Sequence, residues 1–223
     1  MIIPSVIGLG YVGLPIFLKL QKKFHTIGFD IDNKRIRKLK NNKDINLSSS
    51  KNELFLKKRS FFTNNEEDLK KSNFFIITVP TSINKSKKPI LNHIKNAFKT
   101  VSKYLKKGDI VFVESTIYPG LTKKLSKNYL EKKFKSNKDF YLGYSPERIN
   151  PGDKFNTISN INKIVAFETN NILAKSKIFK IYRNISKKII ISKKIENAEM
   201  SKLVENIQRD INIAYMNQIL LYT

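Results

Sequence analysis

The sequence predicts an α/β protein built on a doubly wound parallel sheet, and three observations carry that prediction. Short, predominantly apolar runs (residues 2–7, 74–79 and 110–113) alternate with longer stretches of helical periodicity. Strands without polar alternation are buried on both faces, the pattern of a parallel sheet with helices on either side. A glycine-rich turn, Gly8-x-Gly10-x-x-Gly13, falls directly between the first strand and the first helix.

The elements follow in order. Residues 2–7 form the first strand, and 11–24 a helix with Val12, Ile16, Leu20 and Phe24 on one face. A second strand spans 27–30, and Asp32-Asn33 starts a helix before KRIRKLK. Residues 43–60 are polar and weakly periodic, a loop with a short helix. After strand 74–79, residues 91–105 make a helix whose Leu91, Ile94, Phe98, Val101 and Leu105 share a face. Strand 110–113, helix 121–133 and strand 140–142 come next. Beyond the proline-stiffened segment 143–154 (GYSPERINPGDK), strands 164–167 and 189–191 flank a helix over 171–181. From Ile195 the chain reads as one long helix, with Ala198, Leu203, Ile207, Ile211, Ala214 and Met216 as its buried stripe.

Composition removes several classes of function. The formal net charge of +25 invites a nucleic-acid partner. Its lysines, however, travel with Asn and Ile while Ala and Gly are scarce, the residue set of AT-rich codons. They are spread along the chain, with no aromatic-interleaved basic stripe, which argues against a dedicated nucleic-acid surface. No apolar stretch reaches membrane-spanning length and the first residues lack the order of a signal peptide, so a cytoplasmic, soluble protein with no membrane partner is expected. Cysteine is absent, so these residues hold no disulfide, thiolate metal site or thiol nucleophile, and no metal is expected. His25 and His93 read as ordinary helix-flanking residues.

The turn carries the first chemistry. Gly8 allows the tight bend, Gly10 lets backbone approach a pyrophosphate, and Gly13 permits close helix–strand packing; Tyr11 and Val12 lie within the same turn. The anion then sits on the open amides and positive end of the helix, where Pro15 is compatible because first-turn amides have no intrahelical acceptor. Asp30 ends the second strand 22 residues after Gly8, where its carboxylate accepts from a ribose 2′-OH and repels a 2′-phosphate. This Rossmann-like arrangement favours NAD over NADP, although Arg35 stands where an arginine serves a 2′-phosphate. A glycine-rich turn beside a helix-capping Asp is the plainer alternative.

With GLGYVGLP, VPT (79–81), ESTIYPG (114–120), GYSPERINPGD and AEMSKLVENIQRDINIAYMNQ in this order, the chain resembles the UDP-glucose/GDP-mannose dehydrogenase family. The SPERINPGD form looks most like the UDP-N-acetyl-glucosamine/galactosamine 6-dehydrogenases. The resemblance implies NAD-dependent, two-step oxidation of the C6 alcohol of a UDP-N-acetylhexosamine to the uronate, for surface polysaccharide biosynthesis. It places Thr81 and Thr116 beside the cofactor and Glu147 near the reacting centre, orienting water or relaying protons. Arg148, Ile149, Asn150 and Arg209 go to the substrate. It gives Lys202 the negative charge developing on the C6 oxygen, an oxyanion-type role, and Asn206 a shared water. Lys202 and Asn206 are four apart and share a helix face.

The resemblance also sets the expected organisation. Residues 1–192 match an NAD-binding domain and 193–223 the beginning of a central helical domain that forms a homodimer core. The cysteine loop and the C-terminal UDP-binding domain are absent from these residues. The expected reading is an N-terminal portion of an enzyme, with a second polypeptide as one source of the rest. The alternative is a non-catalytic NAD-binding module or a degenerate enzyme.

Overall fold

The computed structural model describes residues 1–44, 54–147 and 162–222. One eight-stranded sheet organises them. Its strands are β1 (Pro4–Ile7), β2 (Ile27–Phe29), β3 (Phe61–Thr63), β4 (Phe74–Ile77), β5 (Ile110–Val113), β6 (Tyr141–Tyr144), β7 (Lys163–Phe167) and β8 (Ile189–Ser192). They run in the order β3-β2-β1-β4-β5-β6-β7-β8. Every pairing is parallel except β6 with β7, which is antiparallel.

The central strands are apolar because helices cover both faces. PSVI, FFII and IVFV (β1, β4 and β5) are buried at every position. On one face pack α1 (Gly13–Leu20), α2 (Asn33–Lys40) and α5 (Ile172–Ile185), whose Phe17, Ile36, Ile178 and Tyr182 meet Phe62, Phe74 and Phe112. On the other lie α3 (Asn92–Tyr104), α4 (Leu121–Leu125) and the start of α6 (Ile195–Leu220), bringing Phe98, Leu121 and Ala198 against Ile77, Val113 and Tyr144. Asp32 caps α2 by accepting from the Lys34 amide (2.8 Å), and Asn171 caps α5 through the Ala174 amide (2.9 Å). Gly143 lies opposite Phe112 in the β5–β6 ladder; a Cβ there would stand 2.1 Å from the Phe112 ring, so glycine makes room for that aromatic.

Four expectations need correction. The sheet is mixed rather than purely parallel, because β7 runs against β6. β3 is a strand the pattern did not announce, three residues after a long polar stretch. The helix expected over 121–133 is two short pieces, α4 followed by a π-helical turn at Ser126–Leu130. The stripe expected to be buried on α6 is not: Ala198 is buried and Leu203 half-buried, whereas Ile207, Ile211, Ala214 and Met216 are exposed. Of the loop expected over 43–60, residues 45–53 lie outside the described residues. Among the described residues no helix is long and apolar enough to cross a membrane.

Candidate functional site

In the strand order, β2 lies on one side of β1 and β4 on the other, so the chain reverses its direction of winding at β1. Open α/β sheets bind ligands outside the strand carboxyl ends at that point. The glycine turn sits there. Gly8 takes a left-handed φ of +93°, and a Cβ at Gly13 would lie 1.8 Å from the Gly8 carbonyl oxygen and 2.5 Å from Thr78 Oγ1. The Cβ direction of Gly10 meets nothing within 4 Å. One glycine is therefore required by packing, and the other leaves open space over the backbone.

Side chains hold this turn from three sides. The Thr78 hydroxyl, at the end of β4, contacts the carbonyl oxygens of Ile7 (3.0 Å) and Gly8 (2.7 Å). Asp30 Oδ2 accepts from the Leu9 amide at 2.7 Å, and its Oδ1 accepts from the Asp32 amide at 2.9 Å. The Arg35 Nε donates to the Leu9 carbonyl at 2.9 Å, and its Nη1 pairs with Asp44 at 2.7 Å. Arg35 is buried, so its guanidinium braces the turn. Asp30 is only partly buried, and each of its oxygens has capacity to accept a further hydrogen bond. Tyr11 is half exposed at the open side, and Val12 packs against the core.

The loops after β4 and β5 are stitched together. Thr81 donates to the Thr116 carbonyl (2.6 Å) and Ser115 to the Val79 carbonyl (2.6 Å). Thr116 itself is exposed. The start of α6 is fastened to the same edge. Its Glu199 is fully buried and accepts from the amides of Gly120 (2.6 Å) and Thr122 (3.0 Å) at the head of α4. Burial pushes the Glu199 carboxyl up, against these donors. Lys123 adds ion pairs to Glu168 (2.7 Å) and Glu196 (2.9 Å). By helical spacing, Lys202 and Asn206 continue the face of α6 that Ala198 and Glu199 bury, and both are partly buried. The Asn206 side-chain oxygen accepts from Arg209 at 3.3 Å, and Arg209 also faces Glu205 at 4.0 Å.

Glu147 is buried and accepts from Lys163 at 2.8 Å. Arg148, Ile149 and Asn150 lie outside the described residues. The structure thus joins Gly8, Gly10, Gly13, Asp30 and Arg35 in one turn, Thr81 to Thr116, and Lys202, Asn206 and Arg209 along one side of α6. Sequence reading passed over Thr78, Glu114, Lys163 and Glu199. Three of these had a signal: Thr78 directly precedes VPT, Glu114 opens ESTIYPG, and Glu199 is the second residue of AEMSKLVENIQRDINIAYMNQ.

A family model for the UDP-glucose/GDP-mannose dehydrogenase family, NAD binding domain, matches residues 2–186. The chain belongs to that family. NAD is the cofactor of the matched domain, and the open Gly10, the closed Gly13 and the lone pairs of Asp30 fit it. Over 218 residues the chain is 44% identical to a UDP-N-acetyl-D-glucosamine 6-dehydrogenase of Salmonella typhi, covering 96% of this chain and 51% of that one. It is 43% identical over 219 residues to Protein CapL of Staphylococcus aureus, with the same coverage. A solved UDP-D-ManNAc dehydrogenase from Pyrococcus horikoshii superposes with a TM-score of 0.84 at 32% identity, over 97% of this chain and 53% of that one. The chain spans about half the length of the curated relatives it matches.

Proposed function

We propose that this chain supplies the NAD-binding half of a UDP-N-acetylhexosamine 6-dehydrogenase for surface polysaccharide biosynthesis. The glycine turn at the winding reversal, open at Gly10 and closed at Gly13 beside Asp30, is the observation that carries the reading. Gly8, Gly10, Tyr11, Val12 and Gly13 form the pyrophosphate seat, Asp30 takes the adenosine ribose, and Thr81 and Thr116 border the nicotinamide end. Arg35 acts through the turn it braces. Bound NAD+ supplies the hydride acceptor.

The sugar is oxidised at C6: the alcohol loses a hydride from carbon and a proton from oxygen, leaving an aldehyde. Lys202 holds the negative charge that develops on that oxygen, and Asn206 orients the water that carries the proton away. Glu147 stands at the root of the segment bearing Arg148, Ile149 and Asn150, which with Arg209 contact the substrate. The onward step to the uronate uses a thiol in this family, and the 223 residues contain none. The exposed apolar side of α6 supports a homodimer through that helix.

Hydride transfer tests the reading. With NAD+ and UDP-N-acetylglucosamine, the chain is expected to form NADH in a substrate-dependent burst followed by fluorescence. Lys202→Ala is expected to slow the burst by about 100-fold or more while leaving NAD+ affinity unchanged. NAD+ binding without NADH formation from any UDP-N-acetylhexosamine would select the second reading, a non-catalytic NAD-binding module.

A further inference from the structure

A cluster of buried charge lies at the root of the substrate segment. The Lys163 ammonium sits between two carboxylates, 2.7 Å from Glu114 Oε2 and 2.8 Å from Glu147 Oε2. The other Glu114 oxygen accepts from the Tyr182 hydroxyl at 2.9 Å. Lys163, Glu114 and Glu147 are 4%, 1% and 8% exposed, so solvent screens none of them. Three adjacent strands build the cluster. Glu114 directly follows β5, Glu147 follows β6, and Lys163 opens β7. The antiparallel register places Ala166 opposite Tyr144; carried three residues further, it brings Lys163 opposite Glu147. A β7 running parallel to β6 would put its first residue at the far edge of the sheet.

Two carboxylates share one cation here. In a dry site such a pair without a cation keeps a proton, because like charges cannot both ionise at short range. Burial pushes Glu114 up, against the opposing pull of Lys163. Burial lowers Lys163, but the charges of Glu114 and Glu147 more than offset it, and the ammonium is held above its ordinary value. Among the described residues Tyr182 on α5 also faces the cluster, and Tyr144 on β6 lies between Glu114 and Glu199 on α6. Burial raises both phenols, so they stay neutral, Tyr182 donating to Glu114, and Glu199 is tied to the Gly120 and Thr122 amides.

We propose that Lys163 is a positioning residue for Glu147, and that Glu114, by competing for the same ammonium, sets how tightly Glu147 holds a proton. The proposal rests on the reading of Glu147 as a carboxylate of the sugar site. Removing the ammonium makes Glu147 a stronger base. Removing the Glu114 charge gives the ammonium wholly to Glu147 and makes it a weaker one.

The test is a carbon-13 NMR titration of the full chain labelled at the glutamate side-chain carboxyls, without substrate, with Glu147 assigned by comparison with Glu147→Gln. In Lys163→Met the Glu147 midpoint is expected to move up, and in Glu114→Gln down, each by roughly tenfold or more in proton affinity. Glu114→Gln keeps its carbonyl oxygen as the acceptor for Lys163 and turns its NH2 to the Tyr182 hydroxyl, which can accept, so its downward shift decides the matter even if Lys163→Met does not fold. Shifts of one sign, or none in Glu114→Gln, overturn the proposal. The acid limb of the hydride-transfer pH profile is expected to move with the midpoints. Midpoints that move while the profile stays fixed uphold the coupling and refute the sugar-site role of Glu147.

Discussion

Replacing Gly13 with alanine is expected to cost the fold about 3 kcal/mol and to abolish NAD binding. The added Cβ would stand 1.8 Å from the Gly8 carbonyl oxygen, a backbone atom in a turn already fixed by Thr78, Asp30 and Arg35. Relief requires α1 to move away from the sheet, and with it the helix end that receives the pyrophosphate. Gly10→Ala is the control. Its Cβ would enter open space, so stability is expected to change by less than ~0.5 kcal/mol while NAD+ affinity falls, because the methyl group occupies the pyrophosphate's path. Urea unfolding and NAD+ titration of the two variants separate packing from access. Equal destabilisation by both would show that the turn is not organised as described.

The second large effect concerns α6. Met200, Val204, Ile207, Ile211 and Tyr215 are each about half exposed or more, and helical spacing puts them on the side opposite Lys202 and Arg209. One helix thus carries two surfaces: a side that continues the sheet-packed face to Lys202 and Arg209, and an apolar side turned outward. A second copy of the helix would cover the apolar side. Each isoleucine buried in such an interface contributes about 1.5–3 kcal/mol. Ile207→Glu with Ile211→Glu is therefore expected to weaken self-association at least ~100-fold. Sedimentation velocity checks it, with the wild type dimeric or larger and the variant monomeric. A monodisperse wild-type monomer would refute the interface.

Legibility in the sequence followed the range of the interactions. The glycine turn, Asp30 and the central strands were readable because they depend on neighbours along the chain and on burial from both sides. β3 was not, since a three-residue strand at the sheet edge after a polar stretch leaves almost no periodic signal. The antiparallel direction of β7 against β6 is a long-range pairing that no local pattern encodes. The Glu114–Lys163–Glu147 cluster joins residues 49 and 16 positions apart, and its lysine is hidden among the chain's 43 basic residues. On α6 the sequence reading placed Ile207 and Ile211 on an apolar stripe but missed Met200, Val204 and Tyr215 and expected the stripe to be buried, whereas the structure leaves these residues exposed. Lys202 and Asn206 depended on a motif resemblance, and the structure adds that the helix bearing them is clamped to the head of α4 by Glu199, one turn before Lys202.

The central claim is a division of labour, with cofactor held by the β1 turn and Asp30 and sugar chemistry assigned to α6. Equilibrium titration with NAD+ and NADP+ tests it most directly, on the wild type, Asp30→Ala, Asp30→Asn and Lys202→Ala. Asn at position 30 keeps an acceptor for the Leu9 amide, so it separates loss of the charge from collapse of the turn. The account predicts a strong preference of the wild type for NAD+, a fall in NAD+ affinity of roughly 10- to 100-fold in Asp30→Ala, a weakened preference in Asp30→Asn, and no change in Lys202→Ala. Equal loss from Asp30→Ala and Lys202→Ala, or a wild type that binds both cofactors alike, would contradict it.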